Sequence, residues 1–116
     1  MTKPHRDSID IWRGSTYLFE IRPVFPNGDP FIFAPGDDII FRGESIAGTQ
    51  LFRIAKAGMT AILSGAATIG YSGKLTPAQT RSCTPGLTDK YEIELRRDGN
   101  EFPFRAGNIS VEGGAN

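Results

Sequence analysis

Lys90-Tyr91-Glu92-Ile93-Glu94-Leu95-Arg96-Arg97, closed by Asp98-Gly99, is the most regular run in this chain. Tyr91, Ile93 and Leu95 fall on one side and Glu92, Glu94 and Arg96 on the other. A period of two is the mark of a strand with one apolar and one wet face. Asp-Gly readily takes the positive φ of a tight hairpin turn. Residues 101–112 then return, with Phe102 and Phe104 at even positions and Ile109 and Val111 at odd ones. That change of parity predicts a β-bulge around Ala106-Gly107-Asn108.

The same period runs through the preceding sequence. Residues 8–12 place Ile9 and Ile11 opposite Asp10 and Trp12. Residues 15–22 place Tyr17, Phe19 and Ile21 opposite Glu20 and Arg22, and Pro23 with Pro26-Asn27-Gly28-Asp29-Pro30 then ends the strand in a turn. Phe31-Ile32-Phe33 is a short apolar patch before Ala34-Pro35-Gly36. Further strands are predicted at 38–43, 50–55, 59–63 and 65–71, the later ones diluted by alanine and glycine. Thr76-Pro77-Ala78-Gln79-Thr80 breaks the rhythm. Thr76 suits a helix cap and Pro77 the first helical position, so one short helical turn is expected there. About seven to eight strands, with turns every 8–12 residues or so, give an antiparallel sandwich or small barrel. An Ig-like β-sandwich is the reading adopted. Its expected core is Tyr17, Phe19, Ile21, Leu75, Tyr91, Ile93, Leu95, Ile109 and Val111.

Composition fits one domain over residues 1–116, since a domain takes roughly 100–200 residues. There are 14 glycines and 8 prolines, about a fifth of the chain, which is turn-rich without a collagen period. Lys plus Arg and Asp plus Glu number 13 each, so the formal charge is zero. A nucleic-acid surface needs clustered positive charge and is not expected. No apolar run approaches the ~20 residues of a membrane span. The start, MTKPHRDSID, lacks a signal peptide's apolar stretch, so export by that route is not expected. Flexible polar ends are expected at about 1–6 and 113–116.

No catalytic, metal or cofactor site is expected. Cys83 is the single cysteine and His5 the single histidine, which excludes four-ligand Cys/His zinc sites by count. Cys83 is a nucleophile only with a base beside it, and a buried free thiol is the simpler expectation. Asp37 and Asp38 are adjacent and point to opposite faces of a strand, so a solvated turn and strand start is expected. Glu92 and Glu94 share a face that Arg96 continues, and an exposed face is expected. No phosphate-binding or zinc-protease motif occurs. Asn108-Ile109-Ser110 has the form of a glycosylation triplet, which carries little weight without a secretory signal.

The interface candidates are Trp12, Phe31, Phe33, Gln50 and Tyr71. Trp12 faces away from Ile9 and Ile11, where it can stack on a sugar, anchor a protein contact or cap the core edge. Phe31 and Phe33 sit in a Pro-bounded loop. Exposed they form a sticky patch that a neighbouring subunit would cover, and otherwise the loop folds over one end of the sandwich. The region 50–63 offers a sheet edge for strand addition.

A set of features in the last third appears in a familiar order. It runs Leu75-Thr76-Pro77-Ala78-Gln79-Thr80, Gly86-Leu87, Tyr91-Glu92-Ile93-Glu94-Leu95, Asp98-Gly99 and Arg105-Ala106-Gly107-Asn108-Ile109-Ser110-Val111. This order resembles a class of small tailed-phage structural domains. The stretch 9–14 with its following aromatic strand, Asn27-Gly28 and the Pro-bounded patch is similar to the start of the N-terminal domain of phage baseplate upper proteins and related tail-associated sandwiches. Leu87-Thr88-Asp89-Lys90 stands where that pattern has its first tyrosine. The resemblance implies that Leu75 plugs the end of the sandwich and that residues 76–80 make the turn between sheets. It also implies a structural role in tail, baseplate or fibre attachment, in many copies beside larger virion proteins. The expected location is the virion, with synthesis in the bacterial host cytoplasm. The expected partners are other virion proteins and copies of itself. A receptor- or glycan-binding module is the alternative, with Trp12, Tyr71 or Phe31 lining a concave surface.

Overall fold

The computed structural model describes residues 5, 6 and 8–113. The chain is an all-β sandwich of two unequal sheets. Strands β1 (His5–Arg6) and β2 (Ile9–Trp12) run beside β9 (Asn100–Glu112). Next come β8 (Gly86–Arg97), β4 (Asp38–Glu44) and β5 (Gln50–Ala55), completing a six-stranded sheet. The second sheet is β3 (Tyr17–Ile21), β7 (Ala67–Leu75) and β6 (Thr60–Ser64). In the immunoglobulin plan, β3, β7 and β6 occupy the B, E and D places and β4, β8 and β9 those of C, F and G. Two pairings depart from the antiparallel expectation. β1 and β2 run parallel to β9, with His5 opposite Arg105 and Ile9 opposite Ile109. His5 and Arg6, expected in a flexible arm, thus have paired backbone, while residues 1–4 and 114–116 of the expected ends lie outside the described residues.

Alternation sets what each strand buries. Ile9 and Ile11, Phe19 and Ile21, Ile39 and Phe41, Tyr91, Ile93 and Leu95, and Ile109 and Val111 all enter one core cluster. Tyr17, expected in the core, is half-buried and packs against it. Phe41 sits at the centre. Its ring lies 4.8 Å from Phe19 of the opposite sheet, 5.1 Å from Phe52 and 6.0 Å from Tyr91, all edge-on. Two glycines make room for these rings. Phe52 lies over Gly43, its cross-strand neighbour, and Phe19 lies over Gly73, its own cross-strand neighbour. A methyl at Gly43 would collide with the Phe52 ring, and one at Gly73 would come within 2.7 Å of Phe19 Cζ.

The sandwich end is closed by α1 (Pro77–Arg81) between β7 and β8. Thr76 accepts from the Gln79 amide at 3.2 Å, and Gln79 Oε1 accepts from the Thr76 amide at 2.8 Å. This reciprocal box satisfies two amides at the start of the helix, which otherwise lack partners. Thr80 is fully buried; its hydroxyl donates to the Ser15 carbonyl at 2.8 Å and accepts from the Gly14 amide at 3.0 Å. The turn between β2 and β3 is thereby tied to α1. Leu75 is fully buried beside it.

The bulge in β9 lies earlier than expected. Ile93 pairs with Arg105 and Glu94 with Pro103, so Phe104 is the extra residue. Pro103 has no N–H to give the ladder, and a bulge is where a sheet tolerates that.

The glycine–phenylalanine fit has a direct consequence. Gly43→Ala and Gly73→Ala are each expected to lower stability by about 1–3 kcal/mol through overpacking. Gly36→Ala, with open space around it, is expected to change stability by less than about 0.5 kcal/mol. Urea unfolding of the three variants checks the contrast.

Candidate functional site

The loop between β3 and β4 is the most unusual surface of the molecule. It leaves β3 through buried Pro23 and forms a miniature hairpin in which Val24 bridges Pro30. The Phe25 amide donates to the Asp29 carbonyl at 2.8 Å and the Phe31 amide to the Pro23 carbonyl at 2.9 Å. At the tip, Gly28 takes φ +92, and Asn27 both donates to the Asp29 carboxylate and accepts from the Asp29 amide. The chain then docks on the small sheet, where Phe33 bridges Thr68 of β7.

Aromatic rings connect tip to core. Phe25 lies 5.9 Å from Phe31, Phe31 lies 4.9 Å from Phe33, and Phe33 lies 5.0 Å from Tyr71. Burial rises along this line. Phe25 is 50% exposed, Phe31 half-buried, and Phe33 and Tyr71 buried at 7% and 8%. Two interface candidates are corrected here. Phe33 and Tyr71 belong to the core, because Tyr71 shares the inward parity of Leu75 on β7 and Phe33 seats its ring on it. Val24 and Ile32 join Phe25 as exposed apolar side chains of the loop.

An ion pair between buried Asp37 and partly exposed Arg97 fixes the base of the loop. Arg97, at the end of β8, donates from Nε to Asp37 Oδ1 at 2.9 Å and from Nη2 to Oδ2 at 2.5 Å. The same guanidinium donates to the Ile32 carbonyl at 2.9 Å and lies 4.5 Å over the Phe31 ring. Asp37 Oδ2 also accepts from the Ala34 amide at 2.8 Å. Lys56, just after β5, straps the loop, its Nζ donating to the carbonyls of Pro35 and Asp37. The Arg97 hydrogen bonds hold the Asp37 carboxyl below its ordinary value; burial opposes this, and the Ala34 amide adds to the lowering. Asp37 is 4% exposed, not the solvated turn residue expected. Its partner stands sixty positions away in sequence.

The outer face of the large sheet also differs from expectation. Glu94 is 5% exposed, enclosed by Arg96 at 2.7 Å and Arg42 at 3.4 Å. Arg42 reaches Glu92 at 2.5 Å and Arg96 reaches Glu101 at 3.0 Å. The result is an alternating ladder across three strands, in which every carboxylate has a structural partner.

The remaining candidates separate. Trp12 is 59% exposed on β2 and lies against Gly113. Gln50 is exposed at the start of the edge strand β5. Cys83 is buried, donates weakly to the Gln79 carbonyl at 3.7 Å, and burial with nearby Asp89 pushes its thiol up to about 11. At neutral pH it is a protonated thiol without nucleophilic character. Asp89 is fully buried beside it, with Oδ2 accepting from the Thr84 amide at 2.5 Å and Oδ1 unpartnered. An open groove of about 620 Å³ lies over the small sheet, lined by Leu18, Glu20, Thr60, Ser72 and Lys74 among others. Among the described residues, no group of three or more His, Cys, Asp or Glu could hold a metal ion, and no helix is long and apolar enough to cross a membrane. No protein-family model matches the chain, and no curated protein matches its sequence.

What this arrangement can do is present an apolar flank, Val24, Phe25 and Ile32, beside a polar Asn27–Asp29 tip and on a fixed base. Such an element loses little conformational entropy on binding, because its order is already built in. The base is testable through pH. Asp37 has a lower pKa folded than unfolded, so its stabilisation is complete above the unfolded carboxylate value, about 3.9. It is lost as pH falls through the folded value. Asp37→Asn is expected to cost about 2–3 kcal/mol at pH 7, a figure reduced for the partial exposure of Arg97. The gap between wild type and variant should close in acid below about pH 4. Unfolding midpoints measured from pH 2 to 7 check both the size and the closing of the gap.

Proposed function

We propose that this chain is a non-enzymatic structural component of a tailed-phage virion, a tail, baseplate or fibre-attachment module that bridges or decorates larger virion proteins. The observation that carries the reading is the β3–β4 loop, with Val24, Phe25 and Ile32 exposed on a base fixed by Asp37 and Arg97. The order of features from Leu75 to Val111, which resembles small phage structural domains, points the same way. An exposed apolar flank of this kind is a liability on a lone soluble chain and an asset where a larger protein covers it. Its action is geometric. A rigid sandwich offers a loop and strand edges to partners and to copies of itself, and repetition turns modest contacts into firm attachment. The raised Cys83 thiol and the paired carboxylates of Asp37 and Glu94 support a role without catalysis.

Exposed Trp12 favours a second reading, a receptor- or glycan-binding sandwich. That reading loses Tyr71 as a platform, since the ring is occupied by Phe33.

Immunogold electron microscopy of particles from the source lysate, with antibody to the recombinant chain, tests the proposal. Label confined to one place on the particle is expected. Absence of label from both intact and gently opened particles would overturn the virion assignment and turn attention to a glycan array. A Val24→Ser, Phe25→Ser chain is expected to fold with stability within about 1 kcal/mol of wild type, as exposed sites allow, yet to be lost from particles.

A further inference from the structure

The sandwich leaves four free strand edges among the described residues: the β1–β2 side, β5, β3 and β6. A free edge carries unpaired N–H and C=O groups, and proteins guard such edges with charge, proline or bulges. Three of the four are guarded. β2 carries Asp10, β3 carries Glu20 and runs on to Arg22 and Pro23, and β5 carries Arg53 and is followed directly by Lys56. β6 is not guarded. Thr60-Ala61-Ile62-Leu63-Ser64 has neither charge nor proline, and no acidic or basic side chain stands between Lys56 and Lys74. The register shift in this hairpin leaves the extra residue, Ile69, on β7, because Ile62 pairs with Gly70 and Leu63 with Thr68. β6 itself therefore stays regular. It is also accessible, with Thr60, Ala61 and Ser64 exposed and Leu63 61% exposed.

We infer that β6 pairs with β6 of a second copy of this chain, antiparallel, about a two-fold axis at Ile62. Two three-stranded sheets then become one of six strands. The occupant follows from charge. A two-fold contact sets a surface against itself, so a charge near the axis meets its own like. Centred on Ile62, the pairing sets Thr60 opposite Ser64 and Ala61 opposite Leu63, and no charge meets its copy. A partner recognised through charge would find none here to answer it. Five paired residues on each side bury less than the ~1,200 Å² of a standard stable interface. The free dimer is therefore weak, and it strengthens where many copies are held together. This names a surface for the self-contact in the reading above, and it stands without the virion assignment.

Cysteine crosslinking reads the register. Residue 62 of one copy faces residue 62 of the other across about 4.5–5.5 Å, within disulfide reach, while residue 60 lies four positions from its own copy, about 13–14 Å away. Native Cys83 is buried and leaves the background low. Ile62→Cys is expected to form a disulfide dimer at least tenfold faster than Thr60→Cys under mild oxidation. Sedimentation equilibrium of the wild-type chain up to millimolar concentration is expected to show a dimer that Leu63→Lys abolishes with the fold intact by circular dichroism. A chain that stays monomeric throughout would overturn the inference. So would a dimer indifferent to Leu63→Lys, or Thr60→Cys crosslinking as fast as Ile62→Cys. A β6 dimer in a chain that antibody never finds on particles would leave this inference standing and remove the virion reading.

Discussion

The Asp37–Arg97 pair is the constraint on which the exposed half of this molecule depends. Taking a carboxylate out of water costs several kcal/mol, and only close, well-directed partners offset it. Here two guanidinium N–H groups and the Ala34 amide supply them. Because Arg97 also holds the Ile32 carbonyl and covers the Phe31 ring, one side chain fixes the loop through three kinds of contact. Remove the carboxylate, and the guanidinium loses the partner that aims it at the loop.

Beneath the loop, the two sheets are joined by rings instead of by a disulfide. Phe41 contacts Phe19, Phe52 and Tyr91, and Gly43 and Gly73 give two of those rings their seats. A second aromatic line, from Tyr71 through Phe33 and Phe31 to Phe25, carries the order of the core outward. The exposed apolar flank of the loop is therefore an extension of the core, and its position is set by packing that reaches the small sheet. Thr80 and the capping box do the same service at α1, where one buried hydroxyl fastens the β2–β3 turn.

Much of the framework was legible in period-two alternation, which identifies a strand and its faces from neighbouring residues alone. The expected core residues are buried apart from half-buried Tyr17, and Thr76-Pro77 marked α1. What alternation cannot say is which cover a face receives. The outward parity of Glu94 predicts a wet side chain, yet Arg42 from β4 closes over it. Local spacing makes Asp37 a turn residue before a strand, and nothing in it announces a partner sixty positions on, Arg97. Tyr71 was legible and missed, since it lies four residues before Leu75 and shares its face. The bulge was legible as a parity change, and Pro103 was the residue that placed it. The self-neutral edge of β6 was visible in composition as an uncharged run, but only the sheet order shows that its outer side is unpaired.

A loop anchored by Arg97, Lys56 and stacked rings is ordered before any partner arrives. Backbone ¹⁵N relaxation of the free chain tests this most directly. Order parameters near about 0.85 for Val24, Phe25, Phe31 and Ile32, close to those of β4 and β8, are the expected result. Values below about 0.6 across the loop would contradict it, because an apolar loop that moves freely is not a preformed docking element.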